Sequence, residues 1–373
     1  MNIVVAPDSF KGSLTSIYAS KIMERAIKTI DEDCHVSLKP MADGGEGTLE
    51  SLFSASSGIR VPITCTGPLG EQIDTSYAIV DSNLAIIECA SIAGLVQVPM
   101  DKRNPDVTTT FGLGEVIRDA LDRGCRSFVL GLGGSATNDG GLGMLQTLGM
   151  EAYDGNGNTV TPFGKGVKDL MDVSFSGIDT RLADADIKVA CDVDNPLCGE
   201  RGATRVFGPQ KGAKADQVEQ YDLALDVYGS AIESSLEKKL KDIPGAGAAG
   251  GLGFALLALG GNLVSGAHLL GDLINVEDAI ENADLVLTGE GQSDEQTLYG
   301  KAPGYIASIA KKYQVPVILM SGGLEGDLDI LRARFTGCFS IVNKPMSLEV
   351  CIEKADELLF EQTKQVIQLL KNF

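Results

Sequence analysis

The sequence predicts an α/β fold built from two domains, and three observations support this prediction. Short apolar runs of strand length end in polar, glycine-rich loops, as the buried strands of a parallel sheet do. Helical patterns alternate with these runs at both ends of the chain. Between the two ends lies a region of short alternating strands with turn signals, which is typical of antiparallel pairing. The length of 373 residues fits two domains of ordinary size.

The N-terminal region has the order strand, helix, strand. Residues 2–6 form an apolar run that ends at Pro7-Asp8-Ser9, which predicts a buried strand. A helical pattern follows over residues 15–30. A second strand is predicted over residues 36–41 and ends in a loop that contains Asp43. Each of these two strands is therefore followed by an acidic residue.

The middle of the chain changes character. Short strands separated by turns are predicted over residues 61–97. Farther along, a buried strand is predicted over residues 187–191 and an amphipathic helix over residues 215–241. The uncharged stretch 245–271 is interrupted by glycines and polar residues, so it predicts a buried helix with flanking turns and not a membrane span.

The alternation of strands and helices returns in the last quarter of the chain. Strands are predicted over residues 284–288 and 315–320. We therefore predict that a discontinuous Rossmann-like parallel-sheet domain comprises residues 1–61 and 278–373. Residues 62–277 then form a second, mixed α/β domain inserted between its two halves.

Charge and cysteine content restrict the class of partner and the compartment. The net charge is −20 and no basic run occurs, which argues against nucleic acid or an anionic membrane as partner. The eight cysteines are scattered without a C-x-x-C pair, which indicates free thiols in a reducing cytoplasm. The N-terminus lacks a basic region and a cleavage site, which predicts no signal peptide. The sequence leaves the oligomeric state open, with a homo-oligomer among the options.

Residues 128–145 contain the densest group of glycines. A predicted strand ends there and is followed by small and helix-capping residues: Gly131, Gly133, Gly134, Ser135, Thr137, Asn138 and Asp139. Glycine costs about 1 kcal/mol relative to alanine inside a helix, so helix stability does not explain this composition. Glycines do let backbone N–H groups approach an anion closely, and a helix N-terminus adds a favourable dipole. The stretch predicts a phosphate-binding loop, with a plain strand-to-helix turn as the alternative.

Acidic side chains follow five of the predicted strands. They lie in the loops 8–9, 43–46, 131–139, 192–195 and 289–294. Ligands of open α/β sheets bind outside the carboxyl ends of the strands, where such loops cluster. Carboxylates gathered there repel one another unless a cation lies between them, and oxygen ligands favour Mg²⁺. Lys11, Lys211 and Lys301 lie in glycine-containing loops and are the expected anion partners, although for any single lysine an exposed surface position is the default.

Several other kinds of site are excluded. The two histidines, His35 and His268, have no cysteine or acid at ligand spacing, which argues against zinc. No G-x-x-x-x-G-K-[ST] motif occurs, so the chain is not a P-loop enzyme. No G-x-S-x-G motif occurs either, which argues against a serine hydrolase.

Motifs along almost the whole chain resemble those of the bacterial type I glycerate kinases. The first two read Ala-Pro-Asp-Ser-Phe-Lys-Gly-Ser-Leu-Thr over residues 6–15 and Met-Ala-Asp-Gly-Gly-Glu-Gly-Thr over residues 41–48. The others lie, in order, at residues 133–141, 191–197, 207–213, 245–253, 288–294 and 300–303. Thr204-Arg205 and Pro303-Gly304-Tyr305 depart from the family pattern. The length and order of these motifs make the resemblance specific.

The resemblance implies a cytoplasmic kinase that phosphorylates D-glycerate with ATP and Mg²⁺, usually at the 2-hydroxyl. It also implies two α/β domains, one of them discontinuous, with the active site in the cleft between them. The expected partners are therefore the small-molecule substrate and ATP, without nucleic acid or membrane.

On this basis we predict a role for each candidate residue. The glycine-rich loop binds the phosphates of ATP, with the seven residues named above as the cofactor-binding set. Asp43, Glu290 and Asp294 are the candidates for holding Mg²⁺. Lys11 neutralises either the carboxylate of glycerate or the transferred phosphoryl group, and Asp192 is the candidate base, with Asp43 as the second choice. The expected substrate-binding residues are Asp8, Ser9, Lys11, Asn195, Lys211 and Lys301.

Two other functions remain open at this point. The glycine-rich loop also matches G-x-G-x-x-A, so a nicotinamide-dependent dehydrogenase of a small hydroxy acid is one alternative. The fingerprint normally opens its domain, whereas here it lies in mid-chain. The other alternative is a non-catalytic module that senses a nucleotide or metabolite, which predicts binding without turnover.

Overall fold

The computed structural model of the chain describes residues 1–42, 50–51 and 58–372. Its strands are β1 (Asn2–Val5), β2 (His35–Leu38), β3 (Ile59–Thr66), β4 (Gln72–Val80), β5 (Leu84–Glu88), β6 (Ser127–Gly131), β7 (Glu151–Asp154), β8 (Leu170–Ser174), β9 (Asp186–Ala190), β10 (Asn262–Val264), β11 (Leu285–Ser293), β12 (Val317–Leu324) and β13 (Gly337–Ser340).

Helices cover the faces of the sheets. They are α1 (Ser16–Ile30), α2 (Cys89–Ala93), α3 (Phe111–Asp122), α4 (Leu142–Thr147), α5 (Gly164–Asp169), α6 (Ala203–Phe207), α7 (Ala215–Leu236), α8 (Ala248–Ala258), α9 (Gly266–Leu273), α10 (Val276–Glu281), α11 (Ala302–Lys312), α12 (Leu328–Arg332), α13 (Leu348–Glu353) and α14 (Ala355–Leu370). Short 3₁₀ turns join several of them.

The described residues group into two compact units. The first unit takes in both ends of the chain, residues 1–42, 50–51 and 265–372, and the second takes in residues 58–264. The domain boundaries predicted from the sequence, 1–61 with 278–373 and 62–277, stay a prediction.

The first unit is built on a parallel sheet of five strands. Their order is β13-β12-β11-β1-β2, and every neighbouring pair runs parallel. The three C-terminal residues of β1 are buried because the strand lies inside the sheet with helices packed over it. The core of this unit joins apolar side chains of β1, β11 and β12 to those of α1 and α14.

The second unit is built on a mixed sheet of six strands. Their order is β10-β9-β6-β5-β4-β3, with antiparallel pairing from β3 to β5 and parallel pairing from β5 to β10. Strands β7 and β8 form a separate antiparallel pair. The predicted α/β class, with one parallel and one mixed sheet, is confirmed.

Several predicted elements have other bounds. Strand β2 ends at Leu38, shortly before Pro40, which has no N–H to extend the sheet. The short strands end at Glu88, and helical turns occupy most of residues 89–97. Helix α7 ends at Leu236, because Glu237 takes a left-handed φ of 53°. The stretch 245–271 contains α8, β10 and part of α9 and is not a single helix.

Two sequence expectations about chemistry can be compared with the described residues. All eight cysteines are free, with Cys34, Cys65, Cys89 and Cys125 buried and the other four partly exposed. No helix within the described ranges has the length and hydropathy to cross a bilayer.

Candidate active site

The parallel sheet has a topological switch point beside β1, where the direction in which strands are added to the sheet reverses. The chain passes from β1 to β2 on one side, and β11, β12 and β13 follow on the other side. Such a switch point leaves a crevice at the carboxyl ends of the two central strands, which is where open α/β sheets bind ligands. The residues that follow β1 and those at the end of β11 are therefore placed for binding.

A pocket of about 700 Å³ lies at this point. Its polar lining includes six of the predicted site residues: Asp8, Ser9, Lys11, Glu290, Asp294 and Lys301. Apart from Phe10, its apolar lining comes from residues after β13 and from α13 and α14: Ile341, Val342, Leu348, Cys351, Ile352, Ala355 and Leu358. These six polar residues were candidates from the sequence and their roles stay predictions, whereas the apolar residues carried no motif that would single them out.

The turn after β1 is held against β11 by backbone hydrogen bonds. The N–H of Asp8 donates to the carbonyl of Gly289 at 2.8 Å. Phe10 and Leu14 exchange two backbone bonds of 2.8 and 3.0 Å, which close the turn. Gly291 of β11 packs closely under this turn, because a Cβ there would lie 3.1 Å from the backbone nitrogen of Lys11. Lys11 itself is exposed at the tip of this turn.

Glu290 is a fixed, buried carboxylate in the pocket wall. Its Oε1 accepts hydrogen bonds from Thr297 Oγ1 at 2.6 Å and from Ser293 Oγ at 3.0 Å. Its Oε2 lies 3.5 Å from Nζ of Lys301, whose side chain is partly exposed. Two hydroxyl donors and one cation therefore fix the direction of this carboxyl group.

Glu290 does not lie in a loop, contrary to the prediction from the sequence. Strand β11 continues through Gly289 and Gly291 to Ser293, because β12 pairs with it as far as Leu324. Gly289 permits this pairing, since a Cβ there would lie 1.9 Å from the carbonyl oxygen of Met320. The strand therefore gives Glu290 a rigid backbone.

Asp294 has a structural contact of its own. Its Oδ1 accepts from the N–H of Gln296 at 2.8 Å, so it caps the 3₁₀ turn Glu295–Leu298. Thr297 Oγ1 accepts from the N–H of Asp294 at 3.1 Å and also donates to Glu290. One threonine thus links the two acidic residues.

The glycine-rich loop lies in the second unit, between β6 and α4. Asp139 is completely buried at the start of α4 and receives hydrogen bonds from Thr110 N and Oγ1, both at 2.8 Å. It also accepts from the N–H groups of Gly141 and Gly143. Burial raises the pKa of Asp139, and these hydrogen bonds oppose the shift. Asp139 therefore holds the loop together, and its carboxylate uses donors at the N-terminus of α4.

Lys211 points into the same loop. The residue is 2% exposed, and its Nζ donates to the carbonyl of Thr137 at 2.6 Å and to Ser135 Oγ at 3.4 Å. Burial lowers the pKa of Lys211 to about 8. Burial of the neighbouring Cys89 raises the pKa of its thiol to about 12. The default expectation of an exposed surface position is therefore wrong for Lys211.

A left-handed turn at the start of α8 packs against the glycine-rich loop. Ala249, Gly250 and Gly251 all have positive φ, at 52°, 71° and 91°. The carbonyl of Gly250 accepts from the N–H of Gly140 at 2.9 Å, and a Cβ on Gly250 would lie 2.1 Å from the carbonyl oxygen of Thr137. Sequence reasoning assigned no role to these residues, although their glycine content was the available signal.

Comparison with known proteins decides the class of enzyme. The model described as "Glycerate kinase family" matches residues 3–371. The chain belongs to the glycerate kinase family. A glycerate kinase from Bacillus subtilis is 42% identical and covers 100% of this chain and 98% of its own length. A protein named glycerate 2-kinase from Escherichia coli is also 42% identical, over 99% of this chain and 98% of its own length.

The fold of this chain is also similar to that of a solved structure. A crystal structure from Salmonella typhimurium, of a protein provisionally assigned as glycerate kinase 2, has a TM-score of 0.88 and 42% identity. The match covers 100% of this chain and 98% of that chain. Family members are kinases, so this chain is a phosphotransferase.

In this member of the glycerate kinase family, the remaining candidates lie after β9. Asp192 is exposed just beyond the strand, and Cys191 donates its N–H to the carbonyl of Val264 at 2.9 Å. Asp194 pairs with Arg201 at 2.5 Å, and Asn195 Nδ2 donates to the carbonyl of Arg201 at 2.8 Å. Asn195 therefore supports this loop.

Residues of the glycine-rich loop differ in their exposure to solvent. Gly134 is exposed and Gly133 is half-buried, whereas Thr137 and Asn138 are completely buried. Asn138 Nδ2 donates at 2.9 Å to Oγ1 of Thr204. Gly133 and Gly134 are thus the open backbone positions of this loop, and the buried side chains fix its shape. Gly131, by contrast, is buried at the end of β6 and pairs with β5 and β9.

The predicted magnesium ligands are only partly described. Asp43 lies outside the described residues. Within the described ranges, no group of three or more His, Cys, Asp or Glu side chains is arranged to hold a metal ion. Glu290 and Asp294 do line one pocket, which is the part of the predicted set that can be placed.

Proposed function

We propose that this chain catalyses the ATP- and Mg²⁺-dependent phosphorylation of D-glycerate, with 2-phosphoglycerate as the favoured product. The match to the glycerate kinase family over residues 3–371 is the observation that carries the proposal. The name of the relative from Escherichia coli, glycerate 2-kinase, supports the choice of hydroxyl group.

Anion binding is the proposed role of Lys11 and Lys301. Both line the pocket at the switch point of the parallel sheet, where they supply positive charge in a chain whose net charge is −20. Asp8 and Ser9 shape the turn that carries Lys11, because the N–H of Ser9 donates to Asp8 Oδ1 at 2.6 Å. Lys11 is proposed to neutralise either the carboxylate of glycerate or the transferred phosphoryl group.

Glu290 and Asp294 are the proposed ligands of Mg²⁺, together with Asp43. Mg²⁺ normally keeps several waters and takes one or two carboxylates plus substrate phosphates, so a cage of many side chains is not required. Glu290 fits this use because hydroxyl donors occupy its Oε1, while among the described residues its Oε2 contacts the more distant Lys301 at 3.5 Å. When bound, Mg²⁺ would neutralise charge on the phosphates of ATP.

The glycine-rich loop is proposed to bind phosphate through its backbone at Gly133 and Gly134. A role for Gly131 stays a prediction that these contacts do not support, because Gly131 is buried at the end of β6 and pairs with both β5 and β9. The buried residues Ser135, Thr137, Asn138 and Asp139 are proposed to act by fixing the loop, as their contacts support. Lys211 would act in the same place. Its ammonium group holds the carbonyl of Thr137 and adds positive charge behind the loop.

Asp192 is the proposed general base. It would accept the proton of the 2-hydroxyl group while the hydroxyl oxygen attacks the γ-phosphorus of ATP. The bond between that phosphorus and the β–γ bridging oxygen breaks, and ADP leaves. Exposure of Asp192 directly after β9 supports the assignment, because a base must reach the substrate. Asn195 is proposed to bind substrate from the same loop, and Asp43 is the second choice for the base.

The partners and the cellular location of the enzyme follow from the proposed reaction and from the state of the cysteines. ATP and D-glycerate are the proposed partners, without nucleic acid or membrane, and a homo-oligomer stays a prediction. A cytoplasmic location is supported by the eight free cysteines.

The dehydrogenase alternative is less well supported. A dinucleotide fingerprint needs a helix N-terminus that is free to bind pyrophosphate. Here α4 spans only Leu142–Thr147, and Asp139 already accepts from the N–H groups of Gly141 and Gly143. A thermal-shift titration separates the two functions, since the kinase is stabilised by ATP with Mg²⁺ and a dehydrogenase by NAD(P).

The test of the proposed function is a coupled assay of ADP release over a panel of small hydroxy acids. D-Glycerate should support turnover with ATP and Mg²⁺, and chelation of Mg²⁺ should abolish it. Binding of nucleotide without ADP release on any acid would favour the sensing module.

A further inference from the structure

The pocket of the parallel-sheet unit has an apolar lining for which glycerate has no use. Leu348 and Ile352 of α13 are 71% and 40% exposed, and both line the pocket. Large apolar side chains exposed beside polar ones mark a binding surface, because leaving them in water is unfavourable. Glycerate has an oxygen on every carbon and cannot cover such a surface. Another part of a ligand must do so.

The size of the pocket leads to the same conclusion. Its volume of about 700 Å³ falls within the range of roughly 300–1,000 Å³ that holds drug-sized ligands. The pocket therefore accommodates a larger molecule than a three-carbon acid. Such a molecule needs an apolar part for α13 and an anionic part for Lys11 and Lys301.

We propose that the apolar lining formed by Ile341, Val342, Leu348, Cys351, Ile352 and Leu358 binds the adenine base of the nucleotide. The inference rests on the proposed function, in which ATP is the phosphoryl donor. A purine has flat apolar faces and is joined to an anionic phosphate chain, so it matches both parts of the lining. Position supports the assignment as well, since the lining adjoins the carboxyl ends of β11, β12 and β13.

Cys351 provides a direct probe of this lining. Its side chain is partly exposed on α13 and belongs to the pocket. Cys338 on β13 is also partly exposed and is not one of the lining residues, so it serves as the internal control. Alkylation of each cysteine by iodoacetamide can be followed in the full-length protein by mass spectrometry of its peptide.

The experiment compares ADP with Mg²⁺, inorganic tripolyphosphate and D-glycerate as protecting ligands. At ADP concentrations about ten times its Kd, alkylation of Cys351 should slow about tenfold, because only the unoccupied fraction reacts. Cys338 should react at an unchanged rate. Tripolyphosphate and D-glycerate should leave Cys351 unprotected, since neither carries a base. Equal protection by tripolyphosphate, or none by ADP, would overturn the proposal.

Two matched variants of α13 give a second readout. Leu348→Ser should weaken ADP binding about tenfold, the lower end of what a lost apolar contact costs in a pocket. Val350→Ser is the control, because Val350 is 36% exposed on the same helix and does not line the pocket. The KM for D-glycerate should be unchanged in both. An unchanged affinity of Leu348→Ser for ADP would contradict the proposal.

The two hypotheses fail in different ways. Wild-type protein that phosphorylates D-glycerate, but in which ADP does not protect Cys351, would keep the kinase and reject the base site. Protein that binds ADP at Cys351 without turning over any hydroxy acid would reject the kinase and keep the base site. Protection of Cys351 that depends on protein concentration, and not on nucleotide, would mean that a second copy of the chain covers the lining and would reject the base site.

Discussion

The buried ammonium group of Lys211 donates a 2.6 Å hydrogen bond to the carbonyl oxygen of Thr137, inside the glycine-rich loop. Asp139, whose negative charge partly offsets the lowering of the Lys211 pKa by burial, forms its own hydrogen bonds to Thr110, Gly141 and Gly143. A buried cation is costly, and the cost is reduced here by hydrogen bonds to the loop. Lys211 therefore links the shape of this loop to a protonation equilibrium.

The first prediction concerns the stability that Lys211 contributes at different pH. Its pKa is about 8 in the folded protein and that of an unfolded lysine is about 10.4, so the unfolded state binds more protons between these values. The free energy of unfolding of the wild type should therefore rise, relative to Lys211→Met, as the pH increases from about 8 to 10. Urea unfolding of both proteins across this range measures the difference. A constant difference would contradict the lowered pKa.

The second prediction concerns Glu290. Glu290→Gln keeps the side-chain size and an oxygen that can accept from Thr297 and Ser293, but removes the charge. The Mg²⁺ concentration needed for half-maximal activity should rise at least about tenfold, as expected when a group at a metal site is altered. Glu295→Gln is the control, since Glu295 is exposed on the adjacent 3₁₀ turn. If both variants have the same Mg²⁺ dependence as the wild type, Glu290 is not a ligand.

The third prediction concerns the left-handed turn at the start of α8. Gly250→Ala adds a Cβ that would lie 2.1 Å from the carbonyl oxygen of Thr137, and it also forces alanine to a φ of 71°. Gly260→Ala imposes a similar φ of 88° with nothing within 4 Å of the new Cβ. Gly260→Ala should cost about 1–2 kcal/mol for the backbone alone. Gly250→Ala should cost about 1–3 kcal/mol more through overpacking, and it should lower ATP affinity.

Denaturant unfolding and nucleotide titration of these two variants check that prediction. Equal losses of stability would show that the backbone strain is the whole effect. Unchanged ATP affinity in a folded Gly250→Ala protein would separate this turn from the nucleotide-binding role of the glycine-rich loop.

The fourth prediction concerns the base. Asp192→Asn should lower kcat by roughly 10²–10⁴, the usual cost of removing a general base, with only a small change in the KM for glycerate. Excess Mg²⁺ should not restore activity, whereas it should partly restore a lost metal ligand. Asp194→Asn is the control, because Asp194 is exposed and paired with Arg201. Wild-type kcat in Asp192→Asn would transfer the proposed role to Asp43.

The rule that ligands bind at the carboxyl ends of parallel strands predicted that some of the candidate residues lie close together. Asp8 and Lys11 lie in one segment, Glu290 and Lys301 lie in another that is far away in sequence, and all four line one pocket. Parallel strands bring their carboxyl ends to one edge, which explains this grouping. Apolar runs separated by polar loops contain this information. The position of Glu290 within β11 was not predictable, since pairing with β12 extends the strand through glycines that normally indicate a loop.

Other features of the site depend on contacts between distant segments. Burial of Lys211 arises from packing against the glycine-rich loop, and a single sequence shows only a lysine between glutamine and glycine. The apolar lining on α13 looks like an ordinary amphipathic pattern until the pocket beside it is seen. Sequence patterns indicate local preference and the periodicity of burial, and neither identifies which distant segment a side chain will contact.

The central claim is tested most directly by identifying the product. The protein is incubated with D-glycerate, ATP and Mg²⁺, and the ³¹P NMR spectrum of the mixture is recorded. We predict ADP together with a phosphate monoester whose phosphorus couples to the single proton on C2 of glycerate. Coupling to the two protons on C3 would contradict the position of transfer, and absence of any glycerate-dependent phosphate ester would contradict the proposed function itself.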